Sequence, residues 1–136
     1  MIYYAVIDTN VVISAMLKNG SMPYKILEYA FEGKMRILLN EEILTEYAEV
    51  LMRKKFGFAT DKVNELIEEI KRIALFIDKT EELEDVPDPD DTVFYEVVME
   101  ARKQTDAYLV TGNIKHFPKK AFVVTPKEML DIIEKK

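Results

Sequence analysis

The stretch IYYAVIDTN, residues 2–10, decides the fold class. Its first part, Ile2 to Ile7, is almost wholly apolar and rich in β-branched and aromatic side chains. A short continuous run of this kind is typical of a strand that is buried on both faces of a parallel sheet. The run ends at Asp8-Thr9-Asn10, so polar side chains begin where the strand stops. Because sites in open parallel sheets lie beyond the carboxyl ends of the strands, this junction is the first candidate site.

The remainder of the chain alternates short apolar runs with amphipathic segments. Further strands are predicted at 35–39, 75–77, 107–110 and 122–124, and helices at 11–17, 23–31, 41–53, about 63–74, 93–101 and after 125. Asn40 is expected to cap the third helix, Thr60 or Asp61 to cap the fourth, and Thr125-Pro126-Lys127-Glu128 to form a capping box. The proline-bearing stretch 81–91 is predicted to be a loop. This alternation predicts one three-layer α/β/α domain over residues 1–136, with a mostly parallel sheet of about five strands whose order stays open.

Composition limits the chemistry that the chain can perform. It contains no Cys and a single His, His116, so a disulfide framework, a thiolate metal site and a cysteine nucleophile are excluded. Lys plus Arg number 19 against 25 Asp plus Glu, and the net charge of −6 argues against a nonspecific nucleic-acid binder. No apolar run approaches the roughly 20 residues that cross a bilayer, and the first residues lack the pattern of a secretory signal. A cytoplasmic protein that does not enter membranes is therefore expected.

Acidic side chains recur where the predicted strands end. Asp8 follows the first strand, Asn113 comes just after the fourth, Asp91 precedes the helix before that fourth strand, and Glu46 lies on the helix after the second. On a helix with about 100° per residue, Glu46 lies within about 60° of Ile43, so it borders the buried arc. A carboxylate there needs a partner, because burying an unpaired charge is costly. A cation shared by Asp8, Glu46 and Asp91 would supply one, and oxygen ligands favour Mg²⁺ or Mn²⁺.

Each acid also has a simpler explanation. Asp8 could be only a helix N-cap, and at least one of Asp90 and Asp91 is expected to do no more than cap the following helix. Asp85 and Asp88 are expected to be solvated loop acids. Glu46 alone could pair with a Lys or Arg of a neighbouring helix, and His116 is expected to be a packing or turn residue. The residues alone predict an acidic metal site in an α/β domain and nothing narrower.

Four segments, taken together, resemble the PIN-domain family. They are DTNVVISA at 8–15, NEEILTEY at 40–47, PDPDDTVF at 87–94, and DAYLVTGN at 106–113 with KHF at 115–117. They occur in the family's order and span essentially the whole chain. The resemblance is to the VapC-like branch of short prokaryotic proteins described as toxins of toxin–antitoxin systems.

The resemblance implies a metal-dependent endoribonuclease that uses Mg²⁺ or Mn²⁺ to hydrolyse RNA. Asp8, Glu46 and Asp91 match the family's catalytic and metal-binding acids, with Asp90 in reserve for Asp91. The fourth segment departs from the commoner pattern, which ends in Asp where this chain has Asn113. That change removes one negative charge and makes a second metal ion less certain. The partners implied are an RNA substrate, an antitoxin protein covering the cleft, and a second copy of the chain.

The remaining polar residues near these segments have supporting roles in this interpretation. Hydrogen bonds from Thr9, Asn10 and Thr111 could orient ligands or water, although an ordinary cap or turn role explains each equally well. The positive residues that follow Asn113 could steer a phosphate backbone toward the acids, although a solvated turn is slightly favoured; they are Lys115, Lys119 and Lys120. The helical stripe from Val63 to Ile73 and the tyrosines at 3, 24 and 29 could form partner surfaces, but core packing is their expected use.

Three other functions compete with the nuclease. An aspartyl-nucleophile phosphatase also has an Asp after its first strand, but it normally needs a second acid two residues later, where this chain has Asn10. A receiver domain needs an acidic pair near its start and a phosphorylated Asp near mid-chain, and neither is evident. A catalytically weakened PIN-like module that binds RNA or protein is the alternative from a different class, and Asn113 is the residue that favours it.

Overall fold

The computed structural model describes residues 1–78, 80–81 and 86–135, and within them the chain forms a parallel sheet with helices around it. The strands are β1 (Tyr3–Ile7), β2 (Met35–Leu39), β3 (Leu75–Phe76), β4 (Tyr108–Val110) and β5 (Val123–Val124). The α-helices are α1 (Thr9–Leu17), α2 (Met22–Phe31), α3 (Glu41–Leu51), α4 (Thr60–Ile73), α5 (Thr92–Ala101) and α6 (Pro126–Glu134). Short 3₁₀ turns cover Lys54–Phe56, Pro89–Asp91 and Ile114–His116.

The five strands lie in the order β3-β2-β1-β4-β5, and every neighbouring pair is parallel. From β1 the chain moves outward through β2 to β3, and it then returns to add β4 on the other side of β1. The direction of winding therefore reverses between β1 and β4. In parallel α/β sheets such a reversal opens a crevice at the carboxyl ends of the two strands, and ligands bind there.

The helices form two layers. α1 contacts α2 and α3, α2 also contacts α6, and α3 contacts α4, whereas α5 packs on the central strands β1, β2 and β4. The crossover through α5 runs back across the sheet, opposite to the crossovers that precede it, so a right-handed connection places α5 on the other face. The predicted three-layer α/β/α fold with about five strands is confirmed, and the structure adds the strand order.

The burial of the first strand agrees with the prediction made from its apolar sequence. Ala5, Val6 and Ile7 of β1 are fully buried, as expected for a central strand covered on both faces. On α4 the predicted apolar stripe buries Val63 and Ile70. The tyrosines at 3, 24 and 29 are partly buried and pack against the core. Core packing is therefore one use of all three tyrosines.

Several predicted boundaries differ from the structure. The predicted caps Thr60 and Asp61 of α4 are wrong: Ala59 is its N-cap, no side chain caps it, and Thr60 is its first residue. α3 ends at Leu51, two residues before the predicted end at Arg53, because the chain turns into the 3₁₀ segment Lys54–Phe56. Of the predicted loop 81–91, residues 82–85 lie outside the described residues, and its last three residues form the 3₁₀ turn before α5.

No helix in the described part of the chain is both long enough and apolar enough to span a membrane.

The capping box of α6 provides a direct test of how the local sequence stabilises the fold. The hydroxyl of Thr125 accepts a hydrogen bond from the amide of Glu128 at 3.2 Å, and Oε1 of Glu128 accepts one from the amide of Thr125 at 2.9 Å. We expect Thr125→Ala to lower the free energy of unfolding by about 1 kcal/mol, because an amide at the helix start loses its acceptor. Urea denaturation measures the change. Thr60→Ala is the matched control, since α4 has no side-chain cap to lose, and an equal loss there would contradict the assignment.

Candidate metal centre

Asp8 lies at the carboxyl end of β1, on the β1–β4 crevice. Its backbone amide donates to the carbonyl of Val110 at 2.9 Å, which extends the pairing of β1 with β4 by one residue. Its carbonyl accepts from the amide of Val11, so Asp8 occupies the N-cap position of α1. Its carboxylate also accepts a hydrogen bond from the hydroxyl of Thr111 at 2.8 Å. Asp8 therefore holds the predicted N-cap position, but a cap alone does not account for the contacts of its side chain.

Thr111 fixes the orientation of that carboxylate. It directly follows β4 and is fully buried, and its hydroxyl accepts a hydrogen bond from the amide of Asn113 at 3.0 Å while donating to Oδ2 of Asp8. With one donor and one acceptor contact satisfied, the hydroxyl has a single favourable orientation. The geometry matches the orienting role that the sequence suggested for Thr111.

Glu46 reaches the same crevice from α3. It is half-buried, whereas Glu42 and Glu49 on the same helix are exposed, as the helical phase predicts. The hydroxyl of Thr9, itself buried at the start of α1, donates to Oε2 of Glu46. The next residue of the helix, Tyr47, is fully buried and donates its hydroxyl to the carbonyl of Ile7. These two contacts hold α3 against the end of β1.

Asp91 comes from the turn before α5. Its side chain is only 14% exposed, and its Oδ2 atom is buried with no hydrogen-bond partner among the described residues. The nearest cation-capable group is His116, whose Nδ1 lies 3.2 Å from that oxygen. The adjacent Asp90 is exposed. Of the two adjacent acids, Asp91 is thus the one that faces inward.

Asp88 has a different place from the one predicted. It is half-buried, and its Oδ1 accepts a hydrogen bond from the amide of Asp90 at 3.0 Å, so Asp88 caps the 3₁₀ turn that leads into α5. Asp91 holds the N-cap position of α5, as predicted for one of the two adjacent acids, although its side chain makes no capping hydrogen bond there. Asp88 lies in a loop, as predicted, but it is half-buried and caps the 3₁₀ turn, the residue before Pro89 being the one placed to do so. Asp85 lies outside the described residues.

Sequence reasoning missed His116 as part of the site. Ligand-capable atoms of Asp88, Asp91 and His116 all lie within 4.8 Å of one another. The Nδ2 atom of Asn113 lies 2.9 Å from Nε2 of the His116 ring, on the side away from Asp91. His116 is the last residue of a 3₁₀ turn, as expected of a turn residue, and its ring in addition contacts Asp91. The one signal in the sequence was its position directly after the segment that ends at Asn113.

Burial sets the electrostatics of these acids. It raises the pKa of Asp8 above its usual value, which the hydrogen bond from Thr111 and the amides of Thr9 and Asn10 only partly offset. Burial also raises the pKa of Glu46, with the charge of Asp8 adding to the effect and the bond from Thr9 opposing it. Burial and the charges of Asp8 and Asp88 raise the pKa of Asp91 to about 6. Three carboxylates thus share one crevice at a cost in free energy when all are charged.

The chemistry of these donors fits a hard divalent cation. Carboxylate oxygens, a buried oxygen without a hydrogen-bond partner, and mutual repulsion among the acids are the features that such an ion would relieve. The hydroxyl of Thr111 donates to Oδ2 of Asp8 and that of Thr9 to Oε2 of Glu46, so each carboxylate is held in one orientation toward the crevice. Asn10 is exposed at the rim, and only its backbone amide acts on Asp8.

The three predicted substrate-binding lysines line one surface cavity, and Lys115 directly precedes His116. The 3₁₀ turn Ile114–His116 follows β4 directly, so Lys115 is next to the ring that contacts Asp91. A surface cavity of about 340 Å³ is lined by Ile114, Lys115, Phe117, Pro118, Lys119, Lys120 and Val123. All three lysines are exposed, whereas Phe117 and Val123 are buried beneath them. The cavity therefore combines an apolar floor with cationic side chains.

The fold and the crevice together define a class: a parallel α/β/α domain with an acidic centre where the winding of the sheet reverses. Comparison of the chain with known protein families identifies a narrower group within that class. Residues 4–115 match the family model PIN_3, a PIN domain, and the chain belongs to the PIN-domain family. PIN domains are generally nucleases that need a divalent metal ion.

Two further proteins are similar to this one. The uncharacterized protein MJ1680 of Methanocaldococcus jannaschii is 28% identical over 147 residues, which cover 96% of this chain and 91% of that protein. The crystal structure of PAE2754 from Pyrobaculum aerophilum superposes with a TM-score of 0.63 at 12% identity, over 99% of this chain and 91% of that one. The second similarity concerns the fold alone.

The raised pKa of Asp91 leads to a prediction about stability. The folded protein holds this proton with a pKa of about 6 and the unfolded chain with one near 3.8, so the stabilisation by the neutral acid is complete below pH 3.8 and is lost as the pH rises through 6. Above pH 6 the charged Asp91 therefore lowers the free energy of unfolding, by less than the roughly 3 kcal/mol of the full shift because solvent screens part of it. We expect Asp91→Asn to stabilise the metal-free protein at pH 7.5 but not at pH 4.

Urea denaturation in the presence of a chelator, at both pH values, measures this difference. Asp90→Asn is the matched control, because that neighbour is exposed and its replacement should change stability by less than about 0.5 kcal/mol. An Asp91→Asn protein that is no more stable than wild type at pH 7.5 would contradict the crowding of carboxylates described above.

Proposed function

We propose that this protein is a metal-dependent endoribonuclease that hydrolyses RNA phosphodiesters. The observation that supports the proposal is that Asp8, Glu46 and Asp91, from three separate elements, interact electrostatically and each have a raised pKa. Among the described residues, the ligand atoms that lie within 4.8 Å of one another are those of Asp88, Asp91 and His116, a group that shares Asp91 with this set. A purely structural arrangement gains little from crowded like charges, whereas a cation offsets them. The family supports a nuclease, and the resemblance to its VapC-like branch supports RNA as the substrate.

Asp8, Glu46 and Asp91 would hold Mg²⁺ or Mn²⁺, directly or through water. When bound, such an ion polarises a phosphoryl oxygen, lowers the pKa of a water for in-line attack, and offsets charge on the leaving oxygen. Thr111 and Thr9 keep the carboxylates of Asp8 and Glu46 in fixed orientations. The proton of the attacking water needs an acceptor, and Glu46 or Asp91 can hold it because burial has raised both pKa values.

The lysines beside the centre would bind the RNA backbone. The whole chain carries a net charge of −6, so nonspecific attraction to RNA is not expected from its total charge. The cavity formed by Lys115, Lys119 and Lys120 supplies positive charge next to the acids, where a phosphate must arrive.

In the cell we propose that the chain is the toxin of a toxin–antitoxin pair located in the cytoplasm. The resemblance of its four segments to toxin proteins supports this role. An antitoxin that covers the β1–β4 crevice would block the acids and the lysines together. Pairing with a second copy of the chain through helices is part of the same proposal.

Replacement of Asp8 tests the centre. We expect Asp8→Asn to abolish metal-dependent cleavage and to leave the fold intact, because an amide oxygen can still accept the hydrogen bond of Thr111 but carries no charge for a cation. The measurement is cleavage of a panel of structured RNAs with Mg²⁺, with Mn²⁺ and with a chelator, and thermal unfolding checks the fold. Glu49→Gln, on the exposed side of α3, is the matched control and should cleave like wild type.

The outcomes also distinguish the rival functions. If Asp8→Asn cleaves RNA as well as wild type, the assignment of Asp8 is wrong. RNA binding without cleavage by the wild-type protein would favour the weakened binding module. A covalent phospho-aspartate trapped at Asp8 would favour a phosphatase instead.

Charge reversal tests the lysines. We expect the combined substitutions Lys115→Glu, Lys119→Glu and Lys120→Glu to weaken RNA binding. They should also flatten the plot of the logarithm of the binding constant against the logarithm of the salt concentration, by about 0.7 in slope for each phosphate of single-stranded RNA that is no longer neutralised. Fluorescence anisotropy at several salt concentrations measures both quantities. Reversal of the exposed Lys18, Lys25 and Lys62 keeps the total charge equal to that of the test variant and should leave the slope near the wild-type value. Equal slopes for all three proteins would remove the lysines from the RNA site.

A further inference from the structure

We propose that His116, together with Asp88 and Asp91, supplies a mixed nitrogen and oxygen ligand set, so that the centre prefers a divalent transition-metal ion such as Mn²⁺ over Mg²⁺. The inference deepens the proposed function and rests on it for the presence of a divalent ion. It assigns a role to two residues, Asp88 and His116, that lie outside the acidic set which the sequence suggested.

The first observation is the convergence of three ligand-capable groups from two distant segments. Atoms of Asp88, Asp91 and His116 lie within 4.8 Å of one another. Two ligands on one ion lie at most about 4.2 Å apart, since metal–ligand distances are about 2.1 Å. The three groups are therefore within a small adjustment of a common ion.

The second observation is that Asp91 has a buried acceptor without a donor. Its Oδ2 is shielded from solvent and has no hydrogen-bond partner in the described part of the chain, although Nδ1 of His116 is only 3.2 Å away. The contact with His116 pairs the oxygen with a charge only when the ring is protonated. A cation bound between the two atoms would contact both with the ring neutral, because a carboxylate oxygen and an imidazole nitrogen each offer a lone pair.

Asp88 has an oxygen left for the same ion. Its Oδ1 accepts from the amide of Asp90, and its carbonyl accepts from the amide of Asp91 at 3.0 Å. These two hydrogen bonds close the 3₁₀ turn and place both carboxylates on one side of it. The second oxygen of Asp88 takes no part in the turn.

The ring of His116 is held in place from its other side. The side-chain Nδ2 of Asn113 lies 2.9 Å from Nε2 of the ring. The backbone amide of Asn113 donates to the hydroxyl of Thr111, which in turn donates to Asp8. An ion on Nδ1 would require a proton on Nε2 and therefore an acceptor beside it. A half-turn of the side-chain amide of Asn113 brings its Oδ1 atom next to Nε2 of His116, where it can accept that proton. The same residue thus supports the ring with or without an ion.

The choice of metal follows from the nitrogen. Mg²⁺ binds oxygen ligands and retains several waters, and it gains little from an imidazole. Imidazole favours the transition metals, while carboxylates remain suitable for Mn²⁺. A set of two carboxylates and one histidine therefore raises affinity for Mn²⁺ more than for Mg²⁺.

Electron spin echo spectroscopy of the Mn²⁺-loaded protein tests the proposal directly. We expect modulation from a directly coordinated ¹⁴N nucleus in the wild type and its loss in His116→Gln. Calorimetric titration should show that His116→Gln weakens Mn²⁺ binding about tenfold and changes Mg²⁺ binding less than twofold. Asp88→Asn should also weaken Mn²⁺ binding, while Asp90→Asn, which removes the same charge from the exposed neighbour, should have the smaller effect.

Other results would overturn the proposal. A wild-type Mn²⁺ complex without nitrogen coupling, or equal losses of Mn²⁺ and Mg²⁺ affinity in His116→Gln, would mean that His116 is only an ion-pair partner of Asp91. If RNA is still cleaved with either metal in that case, the proposed nuclease activity is supported and the proposed nitrogen ligand is wrong. Nitrogen coupling without RNA cleavage would support the nitrogen ligand and contradict the nuclease activity. No binding of Mn²⁺ at all would overturn both proposals.

Discussion

The hydrogen bond from Thr111 to Asp8 joins the ends of the two strands between which the sheet reverses its winding, and the rest of the centre is arranged around it. β1 and β4 are adjacent and parallel, and the amide of Asp8 continues their pairing by donating to Val110. Register therefore fixes which side chains meet beyond the strands. A slip of one residue would turn Asp8 toward the opposite face of the sheet, away from Thr111.

The same arrangement carries an electrostatic cost. Asp8 is only 6% exposed, and its charge raises the pKa values of both Glu46 and Asp91. A neighbouring residue helps to hold these acids in place, because the hydroxyl of Tyr47 donates to the carbonyl of Ile7 and so fixes α3 against the end of β1. A divalent cation would offset two of the six net negative charges of the chain, at the position where they are most crowded. Part of the acidic total thus lies at this crevice, where a divalent cation would offset it.

The sequence predicted the layers of the fold well because the signals for them are local. The apolar run of β1 and the hydroxyl, proline and glutamate that open α6 each depend on neighbours within a few residues. The order of the strands depends on contacts between distant segments, and no local signal determines it. The helical phase was sufficient to separate Glu46 from Glu42 and Glu49, because a helix has a regular period.

Asp88 and His116, whose positions next to Asp91 the sequence did not predict, show where such reasoning ends. Asp88 looked like a loop acid because it stands between two prolines, and only the 3₁₀ turn gives it a capping role and an inward position. His116 lies 25 residues from Asp91, and the two meet because α5 and β4 return the chain to the same edge of the sheet. The role of a side chain could be predicted where one helix or strand determines its direction, but not where two turns from different crossovers determine it jointly.

The amide at position 113 is consistent with this geometry. A carboxylate there would add another negative charge near Asp8 and Asp91, which already share a crowded crevice, and it could only accept a hydrogen bond from the ring of His116. Asn113 offers the ring a donor or an acceptor and adds no charge, and its backbone amide donates to Thr111. In the centre that we propose, an amide at position 113 is therefore compatible with an imidazole ligand, because it can support either protonation state of the ring's Nε2 without adding charge.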